Sequence, residues 1–360
     1  MTPANLSFWI KDFLLLAPYF LAAFFLSLLL TKVVRYLATR FKIIDEPNCP
    51  RKIHQKPVPL LGGAAIFVSL AAVVFFLLLK TEYLTSGEIG WPEYTGFFLG
   101  GLVLMIGGFL DDKFSLPPKF SIVAPILAAG LAVAFGIQVE KLTNPFGGII
   151  YLAAWQSDVL VFVWLLTVIY TTKFLDGLDG LATGIGSIGT LMIMLLSLTV
   201  AYFQPDVALL SAVALGTLFG FLVFNFQPAS IFLGEGGSTF IGYLIGVLAV
   251  ISGGKLATAL LVIGIPLVDI IFVIIRRWRR SGLKSIVRGD REHLHHKLLE
   301  VGFSDHGVVF FYYALAGGFG VLTLFLQSKE KLIAFGLLIL LAVLAAVGLS
   351  TKKNITNYDL

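Results

Sequence analysis

Eleven apolar stretches, at 13–31, 60–79, 95–110, 120–137, 159–172, 181–204, 207–226, 238–252, 256–275, 308–327 and 332–350, dominate this 360-residue chain; only one of them, 256–275, holds a charge, Asp269. A helix rises about 1.5 Å per residue, so about 20 residues cross a hydrocarbon core of about 30 Å. Backbone polar groups inside lipid must be satisfied within their own segment, which leaves helices for runs of this kind. Residues are 58% hydrophobic and 13% charged, where soluble domains carry about 25% charged residues. The sequence therefore predicts an all-α, polytopic integral membrane protein with about eleven transmembrane helices. No internal repeat or linker divides it, so residues 1–360 form one membrane domain.

Charge placement sets the orientation. With the N-terminus outside, 20 of the 26 Lys and Arg residues fall in inner loops or at inner helix ends. That asymmetry follows the positive-inside rule and predicts a cytoplasmic C-terminus. The net charge of +5 is thus a topology signal, and nucleic acid is not an expected partner. Cys49 is the single cysteine, which excludes an intrachain disulfide. The first apolar run lacks a basic leader and reads as a retained span rather than a cleavable signal. The outer segment 138–155 carries Asn144-Pro145-Phe146-Gly147-Gly148 between β-prone stretches and is expected to form a short hairpin.

Span interiors are otherwise almost free of charge, and the acids gather at inner helix ends. Asp111 and Asp112 end the third run, Asp176 and Asp179 follow the fifth, and Glu235 precedes the eighth. Inner loops at 38–59, 111–119, 173–181, 227–238 and 276–307 thus hold the candidate chemistry. Helical spacing would put Asp176 and Asp179 on one face. Two carboxylates 4 Å apart repel by roughly 4 kcal/mol at an effective dielectric of about 20, and a divalent cation is the usual compensation. Asp111 and Asp112 oppose the dipole of the helix they end, which also calls for a partner; Lys119 is a candidate cation for phosphate there. The Gly-rich segment 232–238 reads as a turn before a helix capped by Ser238, whose free N–H groups suit phosphate. Plain alternatives are boundary-marking acids and small-residue helix packing. His293, His295 and His296 lack a cysteine to complete a zinc set, so anion binding beside Arg291 fits them better.

At these residues the chain resembles the polyprenyl-phosphate N-acetylhexosamine-1-phosphate transferase family. That pattern joins a helix-end Asp-Asp, a DGxDGLA segment, an FxGD/E-x-GS loop and an HxHH loop. Here they are Asp111-Asp112, Asp176–Ala182, Phe232–Ser238 and His293–His296. Leu61-Gly62-Gly63 after Lys56 and Pro266-Leu267-Val268-Asp269 match two further family segments. The resemblance covers roughly residues 50–300. The Asp-Arg-Glu-His-Leu-His-His form is similar to the N-acetylglucosamine-1-phosphate branch, with the muramoyl-pentapeptide branch as the alternative. An ion or metal transporter is the non-enzyme alternative, and the missing midplane charges and repeats speak against it.

The resemblance implies transfer of a sugar-1-phosphate from a UDP-sugar, UDP-N-acetylglucosamine first, to undecaprenyl phosphate at the cytoplasmic face of a bacterial inner membrane. It implies Mg²⁺, with Mn²⁺ as substitute, on Asp179, Glu235 and Asp112. Asp111, Asp112, Asp176, Asp179, His295 and His296 are the implied catalytic set. Lys56, Lys119, Lys173, Asn225, Asp269, Arg291 and His293 are the implied substrate contacts. A homodimer is left open. Three positions depart from the family: Lys173 for Asn, Glu235 for Asp, and Leu60 for Arg or Thr.

Overall fold

The computed structural model describes residues 3–47, 56–87, 89–253, 255–281 and 293–356; for 3–13, 201, 278, 280–281 and 345–356 only the backbone is described. Arg291 and Cys49 lie outside the described residues. The chain is mostly helical: α1 (Pro3–Arg40), α2 (Gly62–Lys80), α3 (Trp91–Phe114), α4 (Pro118–Ser121), α5 (Val123–Ala134), α6 (Ala154–Leu175) and α7 (Leu181–Ser197). Then come α8 (Pro205–Asn225), α9 (Gly234–Ile251), α10 (Leu256–Ser281), α11 (Leu294–Glu300), α12 (Asp305–Leu322) and α13 (Ser328–Thr356). Every apolar run overlaps helix, and seven of the described helices are long and apolar enough to cross a membrane. Exposed apolar side chains such as Leu14, Phe25, Phe76 and Leu127 form the kind of surface that lipid covers. This is a polytopic membrane protein.

Two short antiparallel hairpins are the strands among the described residues. The expected outer hairpin forms between β3 (Lys141–Thr143) and β4 (Ile149–Tyr151), with Leu142 opposite Ile150. The other, β1 (Ile44–Asp45) with β2 (Val58–Pro59), has no signal in the sequence beyond Pro59. It is pinned from outside: Leu60 N donates to Ile43 O (3.0 Å) and Phe232 N to Pro59 O (2.9 Å). These bonds draw Lys56 and Asp45 toward the inner helix ends.

The core centres on α9, which packs against α2, α3, α6 and α7 and is buried along almost its whole length. Glycines allow the approach. A Cβ on Gly63 would lie 2.2 Å from Gly237 Cα, and one on Gly108 would lie 2.1 Å from Gly236 N. Only glycine pairs permit backbones this close, the small-residue mode of membrane helix association. Side chains then add hydrogen bonds across the contacts. Trp164 Nε1 donates to Gly246 O (3.0 Å) and Tyr243 Oη to Gly96 O (3.1 Å). At the opposite end of the bundle Lys255 is buried and donates to Ser197 Oγ (3.0 Å) and Gln204 Oε1 (2.8 Å).

Candidate active site

Helices α3, α6 and α8 end where α2, α7, α9 and α12 begin, and a cavity of ≈ 990 Å³ opens there. Seven carboxylates line it against two lysines, Lys56 and Lys173. Asp111, Asp112, Asp176, Asp179 and Glu235 are among the seven, together with Asn225 and His296. Residues from scattered segments thus reach one chamber. The chamber's two remaining acids, Asp45 and Asp305, are ones that sequence reasoning missed. Asp45 is followed by Glu46 and Asp305 opens α12, and only the fold brings the two into the chamber.

Asp112 shows how the helix ends compensate one another. It sits at the C-terminal end of α3, where the dipole opposes it, yet its oxygens accept from Glu235 N at 3.0 and 3.2 Å. Glu235 lies in the first turn of α9, so Asp112 caps that helix from a neighbouring one and meets its positive end. This corrects the expected start of α9. The helix opens at Gly234, four residues before Ser238, whose Oγ donates back to Glu235 O (3.2 Å). Gly236 and Gly237 are buried in helix contacts rather than spread as a phosphate cradle.

Asp111 is likewise engaged, accepting from Leu116 N (2.9 Å) and Ser121 Oγ (2.6 Å). Ser121 in turn accepts from Lys173 Nζ (3.2 Å), and Lys173 forms an ion pair with Glu235. The compensating groups for the Asp111-Asp112 pair are therefore backbone amides and a serine. Lys119, expected to serve there, is exposed with its ammonium 4.9 Å from the Phe120 ring centre, away from the cavity lining.

Asp176 and Asp179 reach the chamber by a different route from the helical spacing expected of them. α6 stops at Leu175, residues 176–180 form turns, and α7 begins at Leu181. Gly180 has φ +76, a left-handed conformation that glycine adopts without cost. Gly177 abuts His295, whose Nε2 would lie 2.8 Å from a Cβ there. Asp179 Oδ2 accepts from Ala229 N (2.8 Å). Asp176 has no side-chain hydrogen bond with the described residues and opens onto the cavity. The residue is solvent-exposed at that opening, yet crowding by the surrounding protein, followed by repulsion from Glu235, Asp112 and Asp179, pushes its carboxyl up from the usual carboxylate range.

The histidines stack at the start of α11, with His293 at its N-cap and His295 and His296 in its first turn. His293 and His295 lie parallel, 5.7 Å apart, and His295 and His296 are 4.2 Å apart. Asp269 fixes the stack from α10: its oxygens meet His293 Nδ1 (3.0 Å) and accept from Leu294 N (2.9 Å). Asp269 and His293 therefore hold the segment from behind, and His296 alone of the three lines the cavity. Burial, with the two neighbouring rings, pushes His295 down to about 3, so it is neutral and can act only through hydrogen bonds. Asn225 is buried, accepting from Thr183 Oγ1 (2.7 Å) and donating to Ile231 O (3.1 Å). It ties α7 to the α8–α9 connection at the cavity wall.

Among the described residues no three acids or histidines are gathered into a ready metal cage. The donor set nonetheless fits magnesium, which usually takes one or two carboxylates and fills its shell with waters and substrate phosphate. Asp176, whose oxygens meet no hydrogen-bond donor among the described residues, Asp179 and Glu235 all line the chamber, and one or two of them meet that number.

Known proteins resemble this chain in sequence. The sequence profile of glycosyl transferase family 4 matches residues 94–253, the span that carries Asp111, Asp112, Asp176, Asp179 and Glu235. A probable undecaprenyl-phosphate N-acetylglucosaminyl 1-phosphate transferase of Bacillus subtilis (strain 168) is 30% identical over 345 residues, 93% of this chain and 92% of the relative. A decaprenyl-phosphate N-acetylglucosaminephosphotransferase of Mycolicibacterium smegmatis is 31% identical over 360 residues, 91% of this chain and 86% of the relative. An undecaprenyl-phosphate alpha-N-acetylglucosaminyl 1-phosphate transferase of Yersinia pestis is 28% identical over 301 residues, 78% and 76% respectively. With an acidic chamber at the end of an apolar bundle and likeness along nearly its whole length, the chain belongs to glycosyl transferase family 4, among the polyprenyl-phosphate N-acetylhexosamine-1-phosphate transferases.

Proposed function

We propose that this protein transfers N-acetylglucosamine-1-phosphate from UDP-N-acetylglucosamine to undecaprenyl phosphate, releasing UMP. One observation carries the reading: carboxylates from separate helix ends line a single chamber at one end of a lipid-facing bundle. A lipid-borne phosphate and a soluble nucleotide sugar can meet only at such a boundary. In the reaction, an oxygen of the lipid phosphate attacks the sugar-bearing phosphorus of the donor. The bond from that phosphorus to the bridging oxygen breaks, and UMP leaves with that oxygen. Catalysis of phosphoryl transfer is mostly positioning and charge stabilisation. Asp111, held by Leu116 N and Ser121 Oγ, positions the lipid phosphate for attack. Lys56, Lys173 and His296 face the phosphates, with Arg291 assigned to the same work. Magnesium, or manganese in its place, would be held by one or two carboxylates drawn from Asp176, Asp179 and Glu235, with Asp112 in the same chamber, and would neutralise the diphosphate.

The same reading assigns eleven spans, the N-terminus outside and the chamber facing the cytoplasm of a bacterial inner membrane. The distribution of Lys and Arg supports it. The test is UMP release by purified protein from UDP-N-acetylglucosamine and other UDP-sugars. Turnover is expected only when undecaprenyl phosphate and Mg²⁺ are both present. UMP formation that persists without the lipid, or unchanged after chelation, overturns the assignment.

A further inference from the structure

Lys173 is the cation that the chamber holds in ion-pair contact with Glu235. It sits in the last turn of α6, and Glu235 sits in the first turn of α9. Those helices touch directly beside Lys173, where a Cβ on Gly242, two turns into α9 from Glu235, would meet Thr172 Oγ1 at 2.2 Å. The pair is therefore presented by two rigid elements rather than by mobile loops. The ammonium also donates to Ser121 Oγ (3.2 Å), which donates to Asp111 (2.6 Å), and it lies 5.8 Å from the Tyr170 ring centre. Lys173 and Glu235 are 22% and 23% exposed at the side chain, which shields the pair partly from water and makes it stronger than a surface contact.

The neighbouring acids differ. Asp112 is committed to the amide of Glu235, and Asp176 carries no hydrogen bond from the described residues. A divalent ion entering the chamber thus finds Asp176 open and Glu235 already covered by an ammonium. We propose that Lys173 is a built-in counter-cation that competes with the divalent ion for Glu235 and so sets how tightly the substrate-free chamber takes metal. The inference rests on the divalent-ion reading above. When the ion takes Glu235, the freed ammonium stays in the chamber with its donors available to phosphate.

The test is Mn²⁺ binding to purified, substrate-free protein, followed by the loss of the free-ion electron paramagnetic resonance signal. Wild type is compared with Lys173→Met, Glu235→Gln and the double variant. Lys173→Met should bind Mn²⁺ about tenfold tighter, the scale of a direct side-chain coupling. In the Glu235→Gln background the same change should have little effect, because the contested ligand is gone. Lys173→Arg, which keeps charge and reach, should bind as wild type does. If Lys173→Met does not fold, Lys173→Gln is read in the same titration. An equal gain in both backgrounds means that only a positive charge was removed, and overturns the proposal; so does no gain at all. Absence of Mn²⁺ binding by every form instead removes the divalent-ion reading and this inference with it.

Discussion

At the scale of single residues, acids here do structural and chemical work at once. Asp112 caps α9 through Glu235 N while facing the chamber. Asp112→Ala should lower thermal stability, by about 0.5–2 kcal/mol for a lost cap. Asp112→Asn, itself a good cap, should restore most of that stability without restoring turnover. Thermal unfolding beside a UMP-release assay separates the two roles; full turnover in the Asn variant would show that the charge is dispensable. Lys255 makes a second case, far from the chamber. Burial first, then Lys331, lowers its ammonium to about 7, with Asp206 acting the other way. Unfolding returns it to 10.5. Between those values the unfolded chain binds the more protons, so stability should rise with pH from about 7 to 10.5. Below about 7 both states are protonated and the penalty is complete. Replacing Lys255 with Met should flatten the dependence of unfolding temperature on pH across that window; an unchanged slope would place its origin elsewhere.

At the scale of elements, glycine contacts bring the helix ends together. The Gly63–Gly237 and Gly108–Gly236 crossings leave no room for a methyl group, so α2 and α3 seat directly on the first turns of α9. Gly63→Ala should cost about 1–3 kcal/mol, the usual range for overpacking, and should weaken turnover by moving Glu235. Gly130, in α5, has nothing within 4 Å of where a methyl group would stand, so Gly130→Ala should be neutral or slightly stabilising through helix propensity. Comparing the two unfolding temperatures checks it, and equal effects would discount the crossing. The eleven apolar runs and the outer hairpin were legible in the sequence because lipid demands continuous apolar length and turns demand particular residues. The true start of α9 was not legible, because its cap comes from Asp112, far away in the chain. The turn at 176–180 was also hidden, since two acids three residues apart look alike on a helix and in a loop.

At the scale of the whole molecule, the chamber and the β3–β4 hairpin should face opposite compartments. In a Cys49-substituted background, a cysteine at Ser115 should react with a membrane-impermeant maleimide only from the cytoplasmic side, and one at Gly147 only from outside. Labelling of both from one side would mean that a helix between them does not cross. The membrane setting, the helical class and the segments that carry the acids were all present in the order of residues alone. Those properties follow from local composition, because lipid acts on each segment separately. Which acids share a chamber, and what each one touches, was settled by the packing of the helices. Asp45 and Asp305 joined the chamber, Lys119 stayed outside it, Asp269 moved behind the histidines, and Lys173 met Glu235. Such pairings depend on how helix ends converge in space, and no local pattern encodes a partner supplied by another helix.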